Sequence, residues 1–292
     1  MRVLILFVRH GTDKYQDALN KLDRIYQTQA ASVKRHTIVI DNAMPADFSE
    51  DYRPDCQLIG GDNTAWEFSG WQRALDMLGD DLKHCFDAVH FVSSAFTMLY
   101  TDFIDVFSQP IVEVAAQHPV CTGHIDYYPY PIKFNSYISR HWIRTSFWLL
   151  NTSELVRLGK LVSIRDSSGL FSQQDDWPFV KNGPLSIGYQ ALIHDWITSE
   201  QGTGQGTSWH SRLDLSIKSD RIRFEQKAMA IINEHLLSIR LRAQGTSVLD
   251  MTYLGRLIES RNAMRSHFPG WREQIRLRRI PGHDNIGNPP VR

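Results

Sequence analysis

The stretch Leu58–Leu78, LIGGDNTAWEFSGWQRALDML, decides the fold of this chain. A short apolar run ends in Gly60-Gly61-Asp62-Asn63, whose glycines suit positive φ or close backbone approach. Apolar residues then recur every three or four positions from Phe68 to Leu82, while Glu67 and Arg73 fall on other faces. This pattern predicts a strand, a turn and an amphipathic helix. In open α/β sheets such a turn is a candidate ligand loop, and a purely structural turn is the alternative.

Three further apolar runs, Val3 to Val8, His36 to Ile40 and Phe86 to Val92, are typical of strands covered on both faces. A helical pattern lies between the first two and favours parallel pairing. We therefore predict an α/β fold with a Rossmann-type mixed, mainly parallel sheet flanked by helices. One edge of this sheet should present four loops. These loops are Arg9–Thr12, Asp41–Ala43, Gly60–Asn63 and Ser93-Ser94.

The remaining chain predicts a main domain over residues 1–200 and a C-terminal helical extension with a basic tail over residues 201–292. Residues 43–56 have the composition of a polar loop, and residues 118–130 lack a regular period. The other expected elements are a strand at Trp142–Leu150 and helices at about 184–198, 220–243 and 248–267.

The charge of the 292-residue chain is balanced, with 32 basic and 32 acidic residues, which argues against nucleic acid as a partner. The last forty residues are nevertheless basic, because they hold eight Arg, no Lys and three acidic residues. Such a tail is suited to anionic lipid at the inner membrane face or to a partner enzyme, and a solvated basic end is the alternative. The arginines concerned are Arg272, Arg276, Arg278 and Arg279.

The cysteines Cys56, Cys85 and Cys121 are odd in number and have no metal-ligand spacing. They indicate a reducing, cytoplasmic setting. No apolar run approaches the ~20 residues of a membrane span. We therefore expect a cytoplasmic protein, attached to a membrane at most peripherally.

The order of VLILFV, TIVIDN, GGDNTAWEFSGWQRAL and FDAVHFVSSAF resembles the nucleotide-sugar half of a GT-A fold glycosyltransferase. More narrowly, the Gly-Trp pair in the helix, a later Tyr-Thr-Asp-Phe and HWIRTSFWLL are similar to the rhamnan-synthesis protein F type of bacterial polysaccharide glycosyltransferases. The resemblance covers about residues 2–200, in pattern more than in identity. It implies a nucleotide-sugar half at about 1–100 and an acceptor half at 101–200. The implied activity is sugar transfer to a growing surface polysaccharide, such as O-antigen or capsule, or to a lipid-linked glycan.

The resemblance also implies donor-binding residues. In that family the ends of the first two strands hold the base and ribose, and the loop and helix after the third strand line the nucleotide and sugar pocket. The fourth strand ends where the family carries its metal-binding Asp-x-Asp. The matching positions here are Arg9, His10, Gly11, Asp41, Asn63, Trp66, Gly70, Arg73, Ser93 and Ser94.

The fourth strand departs from the family, because Ser93-Ser94 replaces Asp-x-Asp. Hydroxyls are weak ligands for a hard cation that prefers carboxylates. We therefore expect a metal-independent enzyme without a cofactor, in which a helix N-terminus or a basic side chain neutralises the leaving diphosphate. The candidate cations are Arg73, Lys133 and Arg140. Asp102 or Asp105 would restore a metal site if either lies close enough.

Transfer with inversion needs a base for the acceptor hydroxyl. Asp126 is the first candidate, because it lies in the tyrosine-rich segment GHIDYYPYP, whose rings suit sugar stacking. His141 and the pair Asp175-Asp176 follow. The alternatives are ordinary roles: a turn or capping Asp, a packed His and a solvated acidic pair.

Two other classes stay open. Phe7 to Thr12 reads FVRHGT, which mimics the Arg-His-Gly motif of histidine phosphatases, with His10 as the phosphorylated residue. Those enzymes need a second His, and His124 and His283 lack the matching context. The second alternative is a non-catalytic, transferase-like scaffold of a polysaccharide assembly complex, since Ser93-Ser94 replaces the expected carboxylates.

Overall fold

The computed structural model describes residues 1–98, 101–172, 177–199, 213–260 and 268–278. Its strands are β1 (Arg2–Arg9), β2 (Lys34–Asp41), β3 (Ser49–Arg53), β4 (Cys56–Gly60), β5 (Ala88–Ser93), β6 (Val120–Phe134), β7 (Tyr137–Asn151) and β8 (Ser247–Asp250). Its α-helices are α1 (Ala18–Gln29), α2 (Glu67–Leu78), α3 (Asp81–Cys85), α4 (Gln109–Gln117), α5 (Thr152–Leu158), α6 (Ile187–Thr198), α7 (Lys218–Ala243), α8 (Met251–Glu259) and α9 (Trp271–Leu277). Short 3-10 segments at Ser94–Thr97 and Asp102–Val106 follow β5.

Within the described residues, the strands form one mixed sheet in the order β3-β4-β2-β1-β5-β7-β6-β8. The four strands β4, β2, β1 and β5 are adjacent in the sheet and run parallel to one another. β3 is antiparallel to β4, β7 is antiparallel to β5, and β8 is parallel to β6. The predicted fold class, a mixed and mainly parallel sheet flanked by helices, is confirmed.

The predicted apolar face of α2 packs on the sheet. Trp71 is fully buried, and its indole Nε1 donates to the carbonyl oxygen of Leu6 on β1 at 3.0 Å. Its ring lies 5.4 Å from Phe91 and 6.2 Å from Trp148, so it joins α2 to β5 and β7. Burying an aromatic side chain of this size contributes about 2–3 kcal/mol, and the indole bond fixes its depth. The helix therefore has one orientation on the sheet.

The sequence expectation was wrong at three strands. β3 (Ser49–Arg53) lies in the predicted polar loop, and every residue of it is exposed, so an edge strand leaves no apolar period to detect. β6 lies largely in the stretch without a regular period, because Pro129 and Pro131 interrupt its pattern. β8 (Ser247–Asp250) occupies the expected start of a helix, and Asp250 caps α8 by accepting from two backbone N–H groups.

The chain forms two compact units that are each discontinuous in sequence. The first unit comprises Met1–Asp126, Ile143–Leu161 and Arg240–Arg292, and the second comprises Tyr127–Trp142 and Val162–Ile239. The first has its main core between the sheet and helices such as α1, α4 and α8. The second has its own core around Tyr189, Phe224 and Leu236. The predicted boundary near residue 200 falls at positions 200–212, outside the described residues, and stays a prediction.

Candidate functional site

The strand order of the first unit reverses between β1 and β5. From β1 the chain moves outward to β2 and β4, and β5 then pairs with the other side of β1. In open α/β sheets, ligands bind in the crevice at the carboxyl ends of strands at such a point. The loop Arg9–Thr12 and the pair Ser93-Ser94 flank this crevice. Because Val8 pairs with Ser93, β1 and β5 end at the same height along the sheet. The sheet register thus brings the four predicted loops to the same edge.

Asp41 links the loops after β1 and β2. Its carboxylate, on a side chain that is almost fully buried, accepts from Arg9 Nε at 2.8 Å, from the Gly11 backbone N–H at 2.8 Å and from the Ala43 backbone N–H at 3.0 Å. Gly11 has φ +68°, which glycine adopts at little cost. Arg9, Gly11 and Asp41 thus come together as expected. Because both oxygens of Asp41 already accept from its own chain, its predicted contact with a ribose stays a prediction.

Asn42 holds the turn between β4 and α2. Its side-chain Nδ2 donates to Asn63 Oδ1 at 3.3 Å and to the Trp66 carbonyl oxygen at 3.0 Å. A Cβ at Gly61 would lie 1.9 Å from Asn42 Oδ1, so this glycine is needed for close approach. The positive φ expected of Gly60 and Gly61 occurs instead at Asn63 and Trp66, at 51° and 54°. Both side chains are exposed at this turn.

The other predicted donor residues divide into edge positions and packing positions. His10 is exposed after β1, and Ser93 and Ser94 are half-buried after β5. Gly70 faces the sheet instead, because a Cβ there would lie 3.0 Å from Val8 Cγ2. Arg73 donates to the carbonyl oxygen of Ala46 in the loop before β3. The structure gives Gly70 and Arg73 these packing contacts, and their contact with a donor stays a prediction.

Asp126, the first candidate for the base, lies in a cluster of opposite charge. Its Oδ2 accepts from Arg144 Nε at 3.0 Å, and its Oδ1 lies 3.4 Å from His124 Nε2. Burial alone would raise the pKa of Asp126, but Arg144 and His124 outweigh burial and hold that pKa well below its usual range. A carboxylate with a depressed pKa is a weak proton acceptor. Arg144 was missed because its pairing with Asp126 requires β6 to be recognised as a strand.

Glu67 is a second carboxylate of the first unit, and its environment is the opposite. It is half-buried at the first residue of α2, and its Oε1 accepts from Thr145 Oγ1 on β7 at 3.4 Å. No ion pair joins it to a cation within the described residues. Burial raises the pKa of Glu67 above its ordinary value. The helical period placed Glu67 on a polar face, and only its position directly after a ligand-loop turn signalled a site.

The second unit contains three further candidates, the possible base His141 and the possible diphosphate cations Lys133 and Arg140. His141 is half-buried on β7, and its backbone N–H donates to Ser139 Oγ at 3.3 Å. Arg140 donates to the carbonyl oxygens of Tyr128 and Pro129, while Lys133 is exposed. Tyr128 is buried, so its ring packs in the core. Asp175 and Asp176 lie outside the described residues.

Metal-ligating side chains are scattered. The described residues contain no group of three or more His, Cys, Asp or Glu that would hold a metal ion. Asp105 is exposed, and the side chain of Asp102 is outside the described part of the chain. Metal independence, with no cofactor, therefore stays a prediction.

The basic C-terminal segment is partly neutralised by its own chain. Arg278 Nη1 lies 3.2 Å from the buried Asp250 carboxylate and donates to the Ile125 carbonyl oxygen at 2.8 Å. Arg276 pairs with Glu273 at 2.6 Å, and the Arg272 guanidinium lies 4.8 Å from the Trp271 ring centroid. Arg279 lies outside the described residues. None of the helices in the described ranges is long and apolar enough to cross a bilayer. Peripheral attachment through these arginines stays a prediction.

A groove of about 320 Å³ runs between α1 and the segments that follow β5. Lys21, Arg24 and Asp105 contribute charged groups to its lining. Arg24 is paired with Asp17, at 2.8 Å. The groove contains none of the predicted donor residues, and the strand order places the candidate site at the carboxyl edge instead.

Comparison with known proteins yields fold-level similarities. No protein-family model matches the sequence, and no curated protein matches it significantly. Among solved structures, 4-diphosphocytidyl-2C-methyl-D-erythritol synthase matches with 14% identity and a TM-score of 0.35, over 57% of this chain and 81% of that one. The mannosyltransferase PcManGT from Pyrobaculum calidifontis, solved with GDP-Man and Mn²⁺, matches with 17% identity and a TM-score of 0.32, over 55% of this chain and 47% of that one. Similarities of this size do not assign an activity.

Proposed function

We propose that the first unit binds a nucleotide sugar at the carboxyl edge of its sheet and transfers the sugar to a hydroxyl of a glycan or lipid-linked acceptor, without a metal. The observation that carries the proposal is the reversal of strand order between β1 and β5, flanked by Arg9–Thr12 and Ser93-Ser94. The sequence resemblance to GT-A glycosyltransferases supports a sugar as the transferred group.

The side chains at this edge suit an anionic nucleotide. Trp66 presents an exposed ring beside the crevice loops, and aromatic faces stack on bases. Asp41 holds Arg9 through Nε, which preorients the guanidinium for a diphosphate. Asn63 and His10 add exposed polar groups that are suited to hydrogen bonding with a base. Arg9 is therefore our candidate for neutralising the leaving nucleoside diphosphate in place of a metal.

The test is direct binding of nucleoside diphosphates and nucleotide sugars, measured by isothermal titration calorimetry with and without a chelator. We expect one nucleotide class to bind in both conditions. Ser93→Trp fills the crevice and should weaken binding at least about tenfold, since lost complementarity of ~1.4 kcal/mol corresponds to that factor. The matched control is Lys34→Trp, an exposed position at the amino end of β2, which should bind as the wild type does.

Three results would contradict the proposal. Equal binding by the Ser93→Trp variant would remove the crevice from the site. Binding only with a divalent metal would refute metal independence. No binding of any nucleotide would favour the scaffold, unless a phosphoenzyme forms on His10, which would establish the phosphatase alternative.

A further inference from the structure

We infer that Glu67 accepts the proton of the acceptor hydroxyl, and that the acceptor is a neutral alcohol such as a sugar hydroxyl. This inference rests on the proposed function, because it names the base and the acceptor class for that same site. Glu67 is thus a catalytic residue that contacts the acceptor hydroxyl, and Thr145 is a positioning residue that orients the Glu67 carboxylate.

The fold carries Glu67 to the edge where the crevice opens. α2 begins at Glu67, directly after the exposed turn residue Trp66. β7 pairs antiparallel with β5 up to Val92 and Phe147, so Thr145 lies beyond this pairing, toward the Ser93-Ser94 end of β5. The 3.4 Å contact between Thr145 Oγ1 and Glu67 Oε1 fixes the carboxylate at that end.

Glu67 differs from Asp41 and Asp126 in having no ion pair with a cation in the described part of the chain. Asp41 pairs with Arg9 at 2.8 Å, and Asp126 pairs with Arg144, so the basicity of both is reduced. Thr145 Oγ1 donates to Oε1 of Glu67, and the backbone N–H of Glu67 is a second neutral donor to the carboxylate. A carboxylate held by neutral donors keeps more of its basicity than one paired with a cation, and burial adds to it by raising the pKa of Glu67.

The step balances as a single displacement. The acceptor O–H gives its proton to Glu67, and the acceptor oxygen forms a bond to the anomeric carbon of the donor. The bond between that carbon and the phosphate oxygen breaks, and the nucleoside diphosphate leaves with the electron pair. A single displacement inverts the anomeric configuration. A negatively charged Glu67 also repels anionic acceptors, which favours neutral alcohols.

The test compares Glu67→Gln with Glu225→Gln, which changes a half-buried glutamate of raised pKa on α7 in the second unit. The reaction is nucleoside diphosphate release from the nucleotide sugar that binds wild-type protein, with water or an octyl glycoside as acceptor. We expect Glu67→Gln to lose about 100-fold or more in rate, the usual contribution of a general base, while its donor Kd changes less than about twofold. Glu225→Gln should match wild type in both.

A pH profile separates the base from a structural role. The wild-type rate should fall at low pH with an apparent pKa above that of an ordinary glutamate. Glu67→Asp should have a lower rate overall and should show the same fall at low pH. Retention of more than about a third of the rate by Glu67→Gln would overturn the inference while leaving the proposed function intact. Failure of wild-type protein to bind any nucleotide would overturn both. If Glu67→Gln does not fold, two other results would overturn the inference. One is a wild-type pH profile whose rate does not fall at low pH, and the other is an inactive Glu67→Asp variant.

Discussion

Asp126 and Glu67 are half-buried carboxylates that contact adjacent residues of β7, yet their environments are opposite. Arg144 and His124 surround Asp126, and they lower its pKa against the effect of burial. Glu67 has Thr145 as its hydrogen-bonding side chain, and burial raises its pKa. Neighbouring positions on one strand thus favour the ionised form of one acid, while burial of the other favours its neutral form.

The difference bears on Asp126, which the sequence predicted as the base. A paired carboxylate fixes the position of a cation and contributes stability, whereas an unpaired one of raised pKa is suited to proton transfer. Titratable groups whose pKa values are driven apart are a common arrangement of acid–base sites. The comparison therefore assigns the electrostatic role to Asp126 and the proton to Glu67.

The largest expected effect comes from removing the cation of the Asp126 cluster. Arg144→Met removes the nearer of the two basic side chains around the half-buried Asp126 carboxylate, and breaking such a pair costs about 3 kcal/mol in the free energy of unfolding. Urea denaturation at neutral pH measures this loss. The control is Arg24→Met, which breaks the exposed pair with Asp17 and should cost less than about 0.5 kcal/mol. Similar losses for both variants would show that Asp126 is effectively solvated.

The next effect is a pair of pH dependences with opposite signs. The lowered pKa of Asp126 contributes stability that is present above the unfolded pKa of about 4 and lost as pH falls, so Asp126→Asn should be less stable by about 2 kcal/mol at pH 7. The raised pKa of Glu67 means that its ionisation destabilises the folded state as pH rises above about 4. Glu67→Gln should therefore be more stable than wild type by about 1 kcal/mol at pH 7.

Unfolding in urea across a pH series tests both signs. The deficit of Asp126→Asn should shrink as pH falls below about 4, where the unfolded state takes up the proton before the folded state does. The gain of Glu67→Gln should shrink earlier, as pH falls toward about 4, because folded Glu67 takes up its proton above the ordinary value. A deficit at neutral pH in Glu67→Gln would mean that the ionised carboxylate stabilises the fold, and the contrast between the two acids would then fail.

The smallest expected effect comes from Thr145→Val. Loss of one neutral hydrogen bond costs about 0.5–1 kcal/mol. Because the Thr145 hydroxyl lowers the pKa of Glu67, its removal should move the acidic limb of the transfer rate to higher pH. Ser146→Val, at the adjacent half-buried position, is the matched control and should leave that limb in place. An unmoved limb in Thr145→Val would separate Thr145 from Glu67.

The sequence by itself determined the parallel centre of the sheet. Val3 to Val8 and His36 to Ile40 are continuous apolar runs, and burial on both faces leaves such segments few alternatives to a central strand. The turn before α2 followed from Gly60-Gly61-Asp62-Asn63, and the buried face of that helix followed from its period. The placement of Arg9 beside Asp41 was also predictable, since parallel strands end at one edge.

Only the tertiary structure decided the chemistry at that edge. Glu67 and Thr145 are 78 residues apart, and Asp126 and Arg144 meet only because β6 and β7 are neighbours in the sheet. The hydrophobic period of a helix or strand predicts which of its sides is apolar. The pKa of a side chain depends instead on its burial and on the charges that other elements place beside it. For the same reason Arg278, which the sequence placed in a free basic tail, lies against the buried Asp250.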